Sequence, residues 1–121
     1  MAKKILIVDD EKDVISLTRT LLEDNGYEVV TANSGKEALA KFKKEKFDLI
    51  LLDILMPKMS GFTVLERIKR IDKKMKITFL SVLEVSQKRL LELKKQGISD
   101  YILKPFVEED LIKRIKKIIG K

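Results

Sequence analysis

Leu49-Ile50-Leu51-Leu52-Asp53-Ile54-Leu55-Met56-Pro57 runs four aliphatic residues straight into a carboxylate, with a proline four positions later. An apolar run this short, closed by a proline, reads as a strand buried on both faces. Proline cannot continue a ladder, so the strand ends near Asp53. The acid therefore stands where the backbone leaves the sheet. A carboxylate there is costly to desolvate unless something pairs with it. Taken alone, it could equally cap the following loop.

Working outward, Lys3-Lys4-Ile5-Leu6-Ile7-Val8-Asp9-Asp10 repeats the pattern, an apolar strand ending in carboxylates. A helix is expected over 11–25, with Val14, Leu17, Thr18, Leu21 and Leu22 at helical spacing. Asn25-Gly26 is a left-handed stop. A second strand with polar interruptions covers 27–31. Ser34-Gly35-Lys36-Glu37 has capping-box spacing before a second helix. Ser60 is expected to cap a third, carrying Phe62, Leu65, Ile68 and Ile71. Ile77-Thr78-Phe79-Leu80-Ser81 is the fourth strand, ending on a hydroxyl. A charged helix over 84–96 carries only Leu90, Leu91 and Leu93 as a thin apolar stripe, and Gly97 closes it. Tyr101-Ile102-Leu103-Lys104-Pro105 is a short last strand. The last helix, 108–119, presents Leu111, Ile112, Ile115, Ile118 and Ile119. Glu109 with Lys113 and Asp110 with Arg114 form i,i+4 pairs on its outer side.

Five βα units imply an α/β fold with helices on both faces of a parallel sheet. The apolar strands one, three and four belong in the middle and the others at the edges. Order 2-1-3-4-5 satisfies this, and ligands then bind beyond the strand ends between strands one and three. No linker or repeat interrupts the chain, so residues 1–121 are expected to form one doubly wound domain.

Composition narrows the chemistry. At 121 residues the chain can bury a core without staples. It contains no cysteine and no histidine, which excludes disulfides, thiolate metal sites, imidazole catalysis and a phosphohistidine carrier. The net charge is +7. The basic residues are spread over every helix and mixed with glutamates, and aromatics are only 6%. The expectation is an ion-paired surface without direct nucleic-acid binding. Abundant Lys and Glu without Cys, His or Trp lean towards a thermophilic source. Nothing resembles a signal peptide or membrane span, so a cytoplasmic, membrane-free protein is expected.

The strand ends bring Asp9, Asp10, Asp53, Ser81 and Lys104 to one edge of the sheet. Three acids there would repel one another. Magnesium, a hard cation that takes oxygen ligands, resolves this with two carboxylates and a backbone carbonyl. Asp53 can then attack phosphorus as a nucleophile. The magnesium charge, the Lys104 ammonium and the Ser81 hydroxyl would serve the equatorial oxygens of the phosphoryl group.

With these motifs in place, the chain resembles a response-regulator receiver domain over essentially its whole length. The resemblance rests on Ile5-Leu6-Ile7-Val8-Asp9-Asp10-Glu11, Asp53-Ile54-Leu55-Met56-Pro57 with Ser60-Gly61, Leu80-Ser81, and Asp100-Tyr101-Ile102-Leu103-Lys104-Pro105-Phe106. It implies a flavodoxin-like fold and phosphorylation of Asp53 by a sensor histidine kinase. It also implies magnesium held directly by Asp10, Asp53 and the Leu55 carbonyl, with Asp9 acting through water. Ser81 and Lys104 would bind the phosphoryl group, and Lys104-Pro105 would be cis. Ser81 and Tyr101 would be the switch pair, coupled to the surface of helix four, strand five and helix five. The simpler role for Tyr101 is packing against the last helix.

Val82 stands where receivers usually carry a small residue, and Leu55 and Leu83 where polar residues are frequent. These three are expected to restrict access to the phosphoryl group and lengthen its lifetime. The simpler reading is that Val82 packs the fourth helix more tightly. Implied partners are the kinase and an effector protein or an output domain on a longer chain, acting on a monomer able to dimerise on phosphorylation. Two other readings are a metal-dependent phosphatase, disfavoured by Leu55 where a second acid would stand, and a module that no longer phosphorylates, disfavoured by the full residue set.

Overall fold

The computed structural model of the chain describes residues 2–120. Strands and helices alternate as β1 (Lys4–Val8), α1 (Lys12–Asp24), β2 (Glu28–Ala32), α2 (Gly35–Lys44), β3 (Leu49–Leu52), α3 (Gly61–Ile71), β4 (Ile77–Ser81), α4 (Gln87–Lys95), β5 (Ile98–Leu103) and α5 (Glu108–Ile119). The strands form one parallel sheet in the order β2-β1-β3-β4-β5, as expected.

Alternation along the strands divides the core in two. Leu6, Val8, Ile50, Leu52, Ile77 and Phe79 pack with Ala38, Val64, Leu65, Ile68 and Leu93 of α2, α3 and α4. Ile5, Ile7, Leu49, Leu51, Leu80 and Ile102 pack with Leu22, Leu111, Ile112, Ile115 and Ile119 of α1 and α5. Helices on both faces are why the central strands read as unbroken apolar runs.

Helix starts follow local chemistry. The hydroxyls of Ser34, Ser60 and Ser86 accept from the backbone N–H groups of Glu37, Thr63 and Arg89. The Glu37 carboxylate reaches back to the Asn33 N–H at 2.6 Å, one residue earlier than a strict capping box would have it. Ser34→Ala is expected to cost about 1 kcal/mol in chemical denaturation, because the Glu37 N–H loses its acceptor. Gly26, at φ 88°, ends the turn after α1 as expected.

Three local expectations change. The fourth helix begins at Gln87 rather than 84, because Ser86 is extended and caps it. Within it only Leu93 is fully buried, and Leu91 is 62% exposed. The last strand begins at Ile98 rather than Tyr101, and its pairing slips: Ile77 faces Ile98, but Thr78 faces Asp100. Ser99 is the extra residue of a bulge. Finally, Asp110 and Arg114 pair at 3.0 Å, whereas Glu109–Lys113 is not among the ion pairs of the described residues; Arg114 also reaches Asp100 at 3.2 Å.

Candidate functional site

Register brings the acids together. Val8 of β1 faces Leu52 of β3, so the residues that follow, Asp9 and Asp53, leave the sheet side by side. Backbone bonds secure both exits: Asp9 N–H donates to the Ala32 carbonyl at 3.1 Å, and Asp53 N–H to the Val8 carbonyl at 2.9 Å. Asp9, Asp10 and Asp53 each present a carboxylate oxygen within 4.8 Å of the others. Asp9 and Asp53 are buried, while Asp10 is exposed.

Lys104 enters from β5. Its N–H donates to the Ser81 carbonyl at 2.9 Å, which sets the start of its side chain. Its ammonium lies 2.7 Å from Asp9 Oδ2 and 3.8 Å from Asp53 Oδ1. The lysine is therefore paired first with Asp9 and stands only second to Asp53. The Lys104-Pro105 peptide bond is cis, as the resemblance implied.

Asp53 is pushed above the usual carboxylate range. Burial is the largest cause; Lys104 acts against it, and the Asp9 charge adds to it. The Ser81 hydroxyl and the Ile54 N–H, which donates to Asp53 Oδ1 at 2.8 Å, pull the other way. One ammonium is thus not enough for the acids around it. Oxygen donors alone, with excess negative charge, suit a hard divalent cation, and magnesium fits. Among the described residues no backbone hydrogen bond is made to the Leu55 carbonyl, which leaves it free as a further oxygen donor.

A tight turn carries the chain from Asp53 to α3. Met59 N–H donates to the Pro57 carbonyl at 2.7 Å across Lys58, whose φ of 68° is the one left-handed value at a non-glycine residue among those described. That is a three-residue turn of the strained kind. Gly61 then packs directly on the end of β3: its N–H donates to the Ile54 carbonyl at 2.9 Å. A Cβ at 61 would overlap the Asp53 carbonyl oxygen and come 2.8 Å from Ile54 Cα. Gly61 was not singled out as a site residue from sequence. Its signal in the sequence is the Ser60-Gly61 pair after Pro57, which reads as a turn and as part of the resemblance; the close approach is tertiary.

Ser81 is fully buried and accepts the Leu83 N–H at 3.3 Å. The Tyr101 ring lies edge-on to Phe79, 5.8 Å between centroids, and its hydroxyl donates to the Leu83 carbonyl. Burial, followed by the Asp53 charge, pushes the Tyr101 hydroxyl pKa up. Tyr101 packs with the cluster of α2, α3 and α4 rather than against α5. The bulge at Ser99 is the reason, because it sets Tyr101 opposite Phe79 on the same face.

The three access residues separate. Leu55 and Val82 are 52% and 60% exposed. Leu83 is half-buried against the core. Val82 lines a cavity of about 470 Å³ with Val14, Leu17, Lys104 and Phe106. It faces α1 rather than tightening α4. No helix among the described residues is long and apolar enough to cross a membrane.

Comparison with known proteins agrees with this geometry. The family model described as the response regulator receiver domain matches residues 5–116. The chain is 39% identical over 119 residues to the alkaline phosphatase synthesis transcriptional regulatory protein PhoP of Bacillus subtilis, covering 98% of this chain and 49% of that protein. It is 37% identical to the chemotaxis protein CheY of the same organism, covering 99% of this chain and 100% of CheY. It thus spans about half the length of the transcriptional regulators it matches and all of CheY. Among solved structures, Vibrio cholerae CheY4 superposes with a TM-score of 0.90 at 36% identity, covering 98% of this chain and 99% of that one. The response regulator TrrA of Thermotoga maritima, solved in complex with Mg2+ and BeF, gives a TM-score of 0.84 at 36% identity, covering 96% and 98%.

Proposed function

The chain belongs to the response-regulator receiver family, and from that premise we propose that it is a switch of a two-component relay, turned on when Asp53 takes a phosphoryl group from a histidine kinase. The observation that carries this is the placement of a buried Asp53 beside Asp9, Asp10 and the Lys104 ammonium at one end of the sheet. Residues 1–121 make up the receiver domain in this reading. Its setting is cytoplasmic, and its output passes to an effector protein or to a further domain of a longer chain. The protein is a monomer able to dimerise on phosphorylation.

The roles carry the family resemblance onto this geometry. Asp10, Asp53 and the Leu55 carbonyl would hold magnesium, with Asp9 through water. Bound there, the cation supplies positive charge beside the non-bridging oxygens of the transferring group. An Asp53 carboxylate oxygen attacks phosphorus in line; the new O–P bond forms as the P–N bond to the donor imidazole breaks. The domain catalyses this uptake itself, and hydrolysis of the aspartyl phosphate by water. Lys104 is poised to exchange part of its pairing with Asp9 for a phosphoryl oxygen, since it already lies 3.8 Å from Asp53. The Ser81 hydroxyl, close enough to lower the Asp53 pKa, donates to another.

Tyr101 anchors the β4–α4 loop through the Leu83 carbonyl, two residues after Ser81. That bond links the hydroxyl that meets phosphate to the surface of α4, β5 and α5. Magnesium-dependent labelling by a panel of purified histidine kinases tests the reading. Labelling without magnesium, or none with any donor, would count against it.

Access is tested separately. Val82, at the mouth of the site beside Lys104, is expected to slow loss of the phosphoryl group, with exposed Leu55 screening the other side. Val82→Ala and Leu55→Asn should each shorten the lifetime of the phosphorylated protein several-fold, measured by decay of radiolabel. Leu83→Asn is a poorer probe, because Leu83 packs on the core.

A further inference from the structure

The even scatter of basic residues along the sequence hides an uneven distribution of net charge. Residues 66–97 hold ten Lys and Arg against four Asp and Glu, and so six of the chain's seven net positive charges. This segment runs from the second half of α3 through α4. Between the two helices lies a groove of about 610 Å³ with Phe62 and Leu65 among its lining residues. Arg70 and Lys73 line the α3 side, Arg89 and Lys95 the α4 side. The single acid lining it, Glu66, is already paired with Arg70 at 2.7 Å.

Lys69 plays a different part. Its ammonium donates to the carbonyls of Lys73 and Met75, at 3.0 and 2.6 Å, and so closes the end of α3. It packs where a Cβ at Gly97 would fall, with the lysine Nζ 2.8 Å away. The groove is therefore built at its base and cationic along both rims.

We propose that this α3–α4 groove docks an acidic amphipathic helix of a partner protein. Such a helix would set apolar side chains against the part-exposed edge of Phe62 and the aliphatic stems of Lys69 and Arg89, above the fully buried Leu65, and carboxylates against the rims on either side. Charge complementarity selects acid, and two cationic rims about an apolar floor select a partner with apolar side chains between its charges. A nucleic acid fits less well. The Arg89 guanidinium sits 5.0 Å from the Phe62 ring centroid, so that aromatic face is covered and offers no platform for a base. The groove is distinct from the phosphoryl site and shares only α4 with the surface of α4, β5 and α5.

The test uses the whole chain, isotope-labelled, and a short synthetic helical peptide with leucine on one face and glutamate on both flanks. A glutamine-for-glutamate peptide and inorganic polyphosphate are the controls. Amide shifts are expected at Phe62, Arg70, Arg89 and Gly97, with little response to the glutamine peptide. Lys73→Glu combined with Lys95→Glu should weaken glutamate-peptide binding about tenfold, since each reversal removes one exposed attraction and adds a repulsion. Phosphorylation of Asp53 and the melting temperature should stay as in the parent. Shifts confined to other surfaces, equal binding of the glutamine peptide, unchanged affinity of the double variant, or tighter binding of polyphosphate at the same residues would each overturn the proposal.

Discussion

Asp53→Asn is expected to abolish magnesium-dependent phosphoryl uptake and, in metal-free buffer at neutral pH, to make the protein more stable than its parent. The first effect follows from the chemistry, because an amide oxygen is too poor a nucleophile to displace an imidazole from phosphorus. The second follows from the electrostatics. Burial and the neighbouring Asp9 charge push Asp53 above the usual carboxylate range, and Lys104 only partly offsets them. Asparagine keeps an oxygen for the Ile54 N–H and removes the charge.

The gain should appear as a rise in melting midpoint over the parent, because the charge that burial disfavours is gone. Its pH dependence has a definite sign. Between its unfolded and folded pKa, Asp53 binds more proton in the folded state, so parent stability falls as pH rises through that window. The two proteins should therefore melt alike at pH below the ordinary carboxylate range and diverge above it. Added magnesium should raise the parent's midpoint more than the variant's, since binding to the folded state stabilises by mass action. Parallel melting curves at every pH, with and without magnesium, would contradict this account of the site.

Gly61→Ala carries the largest expected loss of stability. The added methyl would overlap the Asp53 carbonyl oxygen and approach Ile54 Cα to 2.8 Å. Both obstacles are backbone at the end of a central strand, so neither can turn aside as a side-chain tip would. Relief requires α3 to move away from β3, which breaks the bond from Gly61 N–H to the Ile54 carbonyl and disturbs the Val64–Leu65–Ile68 packing behind it. Overpacking of this kind costs about 3 kcal/mol or more, roughly 10 °C for a chain of this size. The same movement shifts the Asp53 backbone, so phosphoryl uptake should fall in the fraction that stays folded. Denaturant titration measures the first effect and initial labelling rate the second. Gly26→Ala provides contrast: a Cβ there meets nothing within 4 Å, so its cost is backbone strain at φ 88° alone.

Much of this architecture was legible because it is written in periodicity. Apolar runs at 5–8, 49–52 and 77–81, separated by helical patterns, decide a parallel sheet and its order. Parallel strands that end on Asp9, Asp53, Ser81 and Lys104 must place those groups on one edge, whatever the details of packing. Less was legible where the signal depends on neighbours in space. The last strand read as starting at Tyr101, because Ile98-Ser99-Asp100 has no alternation to declare it. The fourth helix read as starting too early, because Glu84-Val85-Ser86 fits a helix as readily as a loop.

By itself, then, the sequence determined the fold class, the strand order and the identity of the acids, hydroxyl and ammonium at the site. Only the tertiary structure decided how they are partnered. It placed Lys104 on Asp9 before Asp53, turned Tyr101 toward Phe79 through one extra residue in β5, required glycine at 61, and gathered five basic side chains and one acid around one groove. The physical reason is one of range. Hydrophobic period and turn chemistry act over a few neighbouring residues and leave their mark in order along the chain. Ion pairing, register slips and close backbone contacts join residues far apart in sequence. A shift of one residue in a strand, or one methyl at a crossing, changes the result without changing the pattern. Asp53 shows both levels: its place at the end of β3 among other acids could be read in one dimension, but that Lys104 pairs first with Asp9 and leaves Asp53 only partly offset appears in three.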